Sequence, residues 1–257
     1  MQKSSAILVP GRDARSRYCA ETLRRNGCIV ADCPVDEADV VVLPMRTQLP
    51  PELLEALRPG QWVLGGCLGD QKKTLESLGV HAFDYYEDTL LQYANAVPTA
   101  EGAVGILIDR TPDTIRGSKG LVIGYGRIGA VLSQLVSELG SEVTVSARRD
   151  SDLGRIIAAG HRPERTGVWE YGLAQYDYIV NTVPAHILTA QDYRQMRRDV
   201  ILLELASAPG GFDEALCREC GLTLLRAPGL PGKCAPKAAG EAIAGAVMRI
   251  LETGVVK

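Results

Sequence analysis

Leu121-Val122-Ile123-Gly124-Tyr125-Gly126-Arg127-Ile128-Gly129 is a short apolar run that ends in a glycine-rich turn and leads into an amphipathic stretch reaching Leu139. Each glycine has its own physical use. Gly124 permits a tight turn, Gly126 lets backbone approach a pyrophosphate seated on the positive end of a helix dipole, and Gly129 lets that helix pack close to the strand. GxGxxG alone is a weak signal, but between a strand and a helix it opens a βαβ unit that binds a dinucleotide. The residues expected to bind it here are Gly124, Tyr125, Gly126, Arg127, Ile128 and Gly129.

The next strand, Val143-Thr144-Val145, indicates which dinucleotide. An NAD site usually closes this strand with Asp or Glu bonded to the ribose 2′-hydroxyl. This chain has Ser146-Ala147-Arg148-Arg149 instead, with a hydroxyl and two guanidiniums available to a 2′-phosphate. A charge-assisted hydrogen bond contributes roughly 1.5–3 kcal/mol, enough to favour NADP over NAD about ten- to a hundredfold. NADP is the expected cofactor, with Ser146, Arg148 and Arg149 at its adenosine end. The turn Asn181-Thr182-Val183-Pro184 is expected to line the nicotinamide side through Asn181, Thr182 and Pro184. His186, just beyond, is read as the surface start of the following helix.

Working outward, short β-branched runs alternate with helical patterns along the whole chain, the signature of parallel sheets wound with helices. The fold class is α/β: two Rossmann-like parallel-sheet domains with a cleft between them. Strands are expected at 6–9, 28–31, 40–43, 62–65 and 80–83, then at 121–123, 142–146, 178–181, 200–205 and 223–225. Helices are expected at 14–26, 51–57, 72–78, 128–139, 153–159, 213–220 and 238–251, with a helical stretch at 89–109 interrupted by Pro98. The domains follow as 1–97, a flavodoxin-like substrate domain; 98–237, the dinucleotide domain; and 238–257, a helix packing back on the first.

With 257 residues, 46% hydrophobic and 23% charged, the chain can bury a proper core. A net charge of −3 leaves no cation excess for a nucleic acid. No apolar run approaches the roughly 18 residues of a membrane span. Seven scattered cysteines without a signal peptide read as reduced thiols in the cytoplasm. Cys217-x-x-Cys220 lacks the second ligand pair of a zinc site, and no metal is expected.

Asn95-Ala96-Val97-Pro98-Thr99-Ala100-Glu101-Gly102, Thr114-Ile115-x-Gly117-Ser118, Ala206-Ser207-x-Pro209-Gly210-Gly211, and above all Ala227-Pro228-Gly229-Leu230-Pro231-Gly232 with Ala235-Pro236-Lys237 resemble the A subunits of dipicolinate synthase. Gly11-x-Asp13-Ala14-Arg15 and Leu43-Pro44 extend the resemblance into the first domain, where this chain reads as shorter than the family. The resemblance implies an oxidoreductase of the diaminopimelate branch in sporulating bacteria. Acting with a flavoprotein-like partner, the B subunit of dipicolinate synthase, it would pass a hydride from a dihydrodipicolinate-type dicarboxylate to NADP and form pyridine-2,6-dicarboxylate. The catalytic candidates are Lys237, at the start of the last helix after a Pro-rich loop, and Glu101, at the start of the interdomain helix. Substrate-binding candidates are Asp13, Arg15, Thr99 and Ser207, with Arg12, Arg46 and Lys233 behind them. Two other readings stay open, a 2-hydroxy-acid dehydrogenase and a non-catalytic NADP-binding subunit; homo-oligomerisation is left open too. The dehydrogenase reading lacks the late histidine that such enzymes use as acid and base.

Overall fold

The computed structural model describes residues 5–254. In chain order they form β1 (Ala6–Leu8), α1 (Ala14–Arg25), β2 (Ile29–Ala31), β3 (Val40–Met45), α2 (Pro51–Ala56), β4 (Trp62–Gly66), α3 (Gln71–Ser77), β5 (His81–Asp84) and α4 (Thr89–Arg110). There follow β6 (Lys119–Ile123), α5 (Arg127–Glu138), β7 (Glu142–Ala147), α6 (Asp150–Ala158), β8 (Arg162–Arg165), β9 (Tyr178–Asn181), α7 (Ala190–Gln195), β10 (Ile201–Glu204), α8 (Glu214–Glu219), β11 (Thr223–Arg226), α9 (Leu230–Cys234) and α10 (Pro236–Thr253). Contacts divide the chain into two compact units, one up to Asn95 together with Pro231 onward, the other Ala96–Leu230. These divisions fall at 95/96 and 230/231, beside the sequence-based boundaries at 97/98 and 237/238.

The first unit holds a parallel sheet in the order β2-β1-β3-β4-β5. Its central strands β3 and β4 are apolar on both faces, as a sheet covered on two sides requires. Cys19 and Leu23 of α1 pack with Ile243, Ala244, Val247 and Ile250 of α10 on one face; Leu57, Leu68 and Leu75 cover the other. Helix α10 meets α1 closely at Gly240. A Cβ there would lie 2.5 Å from the Arg15 carbonyl oxygen and 2.9 Å from the Cys19 nitrogen. Burial also pushes the Cys19 thiol up to about 12, which leaves it unreactive.

The second unit holds a six-stranded parallel sheet in the order β11-β10-β9-β6-β7-β8. Counted from β6, this is the doubly wound order of dinucleotide-binding sheets, reversing direction between β6 and β9. Strands β9 and β10 are buried throughout.

Three sequence expectations change. Helix α4 runs through Pro98 without interruption. Proline forfeits one internal hydrogen bond there, but Leu91 is buried in the first core and Ala100, Ala103 and Leu107 in the second, and burial outweighs the lost bond. Strand β8, Arg-Pro-Glu-Arg, carries no apolar alternation to betray it; its pairing with β7 creates it. The loop expected before Lys237 contains α9, a one-turn helix.

An ion pair with a buried carboxylate and a half-buried guanidinium ties α10 to the segment before α4. Arg249 donates to both oxygens of Asp88, at 2.9 and 2.7 Å, and the Leu91 N–H adds a bond of 2.8 Å. Asp88 is only 1% exposed. Burial opposes its ionisation, yet the bonds from Arg249 and Leu91 outweigh it and hold its carboxyl below the usual range. The stabilisation is therefore present above the unfolded value of about 3.9 and lost as pH falls through the lower folded value. Arg249→Met should cost roughly 3–5 kcal/mol at pH 7 by urea unfolding, because it strands a buried carboxylate. The penalty should shrink at pH 4, where the stranded Asp88 takes up a proton. An equal penalty at both pH values would show that packing, not charge, carries the contact.

Candidate functional site

The turn after β6 lies at the point where the second sheet reverses direction, so no helix connection covers it. Gly124 has φ of 98°, in the left-handed region that disfavours side chains, and its N–H bonds the Ser146 carbonyl at 2.9 Å. A Cβ on Gly129 would stand 2.0 Å from the Gly124 carbonyl oxygen, so only glycine lets α5 start this close to β6. Gly126 is the α5 N-cap and supplies no side-chain cap; a Cβ on it would meet nothing within 4 Å. By contrast, α1 and α8 are capped by Asp13 and Asp213. Open space above uncapped amides at the start of a 12-residue helix suits an anion.

Around this turn the other expected residues separate into those facing outward and those consumed by the fold. Arg127 and Arg148 are exposed, Tyr125 and Ile128 half-buried, and Pro184 exposed. The Arg155 guanidinium lies 5.2 Å over the Tyr125 ring. Arg149 is already committed, its Nε bonding Asp152 at 2.8 Å. Ser146 is fully buried and its Oγ accepts from Thr166 at 3.1 Å, which corrects its expected place beside a phosphate. Thr182 donates its hydroxyl to the Ile123 carbonyl at 2.8 Å and so anchors the start of the glycine turn. Asn181 is 1% exposed; its amide donates to the Val183 carbonyl and to Glu204, both at 2.8 Å, so it shapes the turn rather than presenting its side chain.

Glu204, passed over by the sequence reading, organises this edge. One oxygen accepts from Asn181 at 2.8 Å and the Ala206 N–H at 2.9 Å; the other accepts from Gly211 and Phe212 N–H groups at 2.7 and 3.1 Å. It thereby holds the 205–212 loop, which includes a cis Ala208–Pro209 bond and the exposed Ser207. The available signal was a carboxylate closing an otherwise apolar strand, Ile201-Leu202-Leu203.

In the first unit, Asp13 caps α1 by accepting the Ser16 N–H at 2.9 Å and stands 3.7 Å from Arg15. Gly232 and Gly240, on either side of Lys237 in sequence, both abut Arg15: a Cβ at Gly232 would be 2.6 Å from its Nε. Lys237 is exposed in the first turn of α10, which has no side-chain cap and no acidic residue there. Glu101 is exposed in the middle of α4 rather than at its start, so the helix-terminal field expected for it is missing; Thr99 is buried on the same helix. His186 lies exposed in a loop ahead of α7, not at the helix start. Cys217 is buried in α8, its thiol pushed up to about 11, mainly by burial. Among the described residues no cluster of His, Cys, Asp or Glu could hold a metal ion, and no helix is long and apolar enough to cross a membrane.

Fold and turn define a two-unit α/β protein with a Rossmann-type second unit, a fold shared with a transhydrogenase from Sinorhizobium meliloti at a TM-score of 0.77 and 15% identity, over 97% of this chain and 94% of that one. No family model matches the chain. The chain is also similar to the A subunit of dipicolinate synthase. It is 29% identical to that protein from Bacillus subtilis (strain 168) over 241 residues, 87% of this chain and 81% of the relative. The crystal structure of the Bacillus halodurans protein superposes with a TM-score of 0.85 at 26% identity, covering 97% of this chain and 98% of that one.

Two substitutions probe this unit. Glu204→Gln places an amide nitrogen against backbone N–H donors and should lower stability by roughly 2–4 kcal/mol in a denaturant titration. Gly129→Ala should displace α5 from β6 and lower stability by roughly 1–3 kcal/mol in the same titration, because a methyl group there overpacks the contact; an unchanged midpoint would mean the close approach is not needed.

Proposed function

We propose that this chain is the nucleotide-binding oxidoreductase component of a dipicolinate synthase, taking NADP as cofactor and acting with the flavoprotein-like B subunit of that enzyme in the cytoplasm of a sporulating bacterium. The observation that carries the reading is the uncapped start of α5 above Gly124, Gly126 and Gly129, with the exposed Arg148 closing the neighbouring strand. When bound, NADP supplies the carbon that accepts a hydride. Amides of the α5 N-terminus hold its pyrophosphate, and Arg148 binds its 2′-phosphate.

The substrate is a dihydropyridine dicarboxylate, which loses one hydride and one proton and gains aromaticity. Arg15 and Lys237 bind its carboxylates. Supporting this, Lys237 puts an ammonium in the first turn of α10, against the positive end of the helix dipole, with no acidic residue there to offset it. A bound carboxylate removes that conflict. Glu101, an exposed carboxylate, is assigned the departing proton. Asp13 keeps the first turn of α1, and with it Arg15, in place.

Arg148→Ala should weaken NADP about ten- to a hundredfold and leave NAD nearly unchanged. Equal losses, or a wild type that prefers NAD, would remove the 2′-phosphate from this loop. With the flavoprotein-like partner present, Lys237→Met should lower kcat/KM about ten- to a hundredfold at nearly constant NADP affinity. Arginine should not restore it, because a planar fork does not replace a compact ammonium. Normal kinetics in the Met variant would leave Arg15 as the carboxylate ligand.

A further inference from the structure

We propose that Arg165 is a positioning residue for the 2′-phosphate, and through it sets the preference between the two dinucleotides. This rests on the NADP reading above and adds a residue that supports its phosphate site. Arg165 ends β8 and lies in register with Ala147 at the end of β7. Its Nη1 donates to the carbonyl oxygen of Arg148 at 2.9 Å, and its Nη2 pairs with the Asp150 carboxylate.

One guanidinium thus does two things. It pins the backbone of the residue that carries the phosphate-binding side chain, and it neutralises the carboxylate two residues along, which would otherwise repel the phosphate. The absence of an acidic residue at the end of β7 is not sufficient for NADP, because Asp150 and Asp152 follow immediately. Asp152 is matched by Arg149 at 2.8 Å and Arg155 at 3.3 Å. Asp150 is matched by Arg165. After these pairings Arg148 is the guanidinium of this corner with no side-chain partner among the described residues. Thr166, the next residue, fastens β8 to β7 through its N–H on the Ala147 carbonyl and its hydroxyl on Ser146, both at 3.1 Å. The Arg165 side chain is therefore presented by a stitched strand end.

The experiment measures dissociation constants of NADP, NAD and 2′,5′-ADP for the full chain, for Arg165→Met and for Arg165→Met with Asp150→Asn. The single variant should lose about ten- to a hundredfold in affinity for NADP and 2′,5′-ADP, with NAD within about twofold of wild type. Removing the exposed carboxylate in the double variant should recover at least half of that loss on a logarithmic scale. A purely structural role would weaken NAD as well and would not respond to Asp150→Asn. Equal losses for both dinucleotides, no loss, or no recovery would each overturn the proposal. Should the Met variant fail to fold, Arg165→Gln keeps a donor for the Arg148 carbonyl without the charge, and the same recovery is expected of it. A wild type that prefers NAD would sink the NADP reading itself. A wild type that prefers NADP beside an indifferent Arg165→Met would sink only the role of Arg165.

Discussion

The second unit depends on one close approach, α5 against the turn after β6, where Gly129 faces the Gly124 carbonyl with no space for a methyl group. Close contact at that point fixes the direction of α5, and so where its first amides converge. The Thr182 hydroxyl on the Ile123 carbonyl and the Gly124 N–H on the Ser146 carbonyl tie the same turn to both neighbouring strands. A loop without regular structure of its own is thereby held by three strands at once, and its amides need no rearrangement to meet an anion.

Charge at the same sheet edge is arranged in pairs. Two aspartates open α6, where they suit the helix dipole, and arginines from α6, from the β7 end and from β8 neutralise them. These bridges are largely exposed and contribute little to stability. Their consequence is electrostatic: among the described residues, Arg148 is the guanidinium this edge keeps uncommitted, instead of an averaged mixture of signs. Glu204 works in the opposite way. Buried, with four hydrogen bonds, it orders a loop through short-range geometry, and its charge is spent inside the fold.

The first unit is completed by α10. Helix α10 supplies much of one face of its core, and its Arg249 satisfies Asp88, so the apolar face of α1 has its partner only once more than two hundred intervening residues have been made. Such long-range closure is slow in chain-entropy terms, and once made it is held by the tight Gly240 contact with α1.

The sequence by itself determined the α/β class, the positions of ten of the strands and the glycine turn, because these rest on local periodicity and on backbone conformations that few residues can adopt. Its motifs also carried the similarity to the A subunits of dipicolinate synthase. Only the tertiary structure decided which polar groups remain available. Ser146 and Asn181 read as ligands because of where they fall along strands, yet burial and partners far along the chain claim both side chains. Glu101 read as a helix start because proline normally ends a helix, but burial on either side of Pro98 keeps α4 whole. Strand β8, too polar to announce itself, exists because β7 offers an open edge, and with it comes Arg165. Hydrogen bonds between residues distant in sequence leave no periodic trace, so the pairings of Arg165 with Asp150 and of Arg249 with Asp88 were written only in three dimensions.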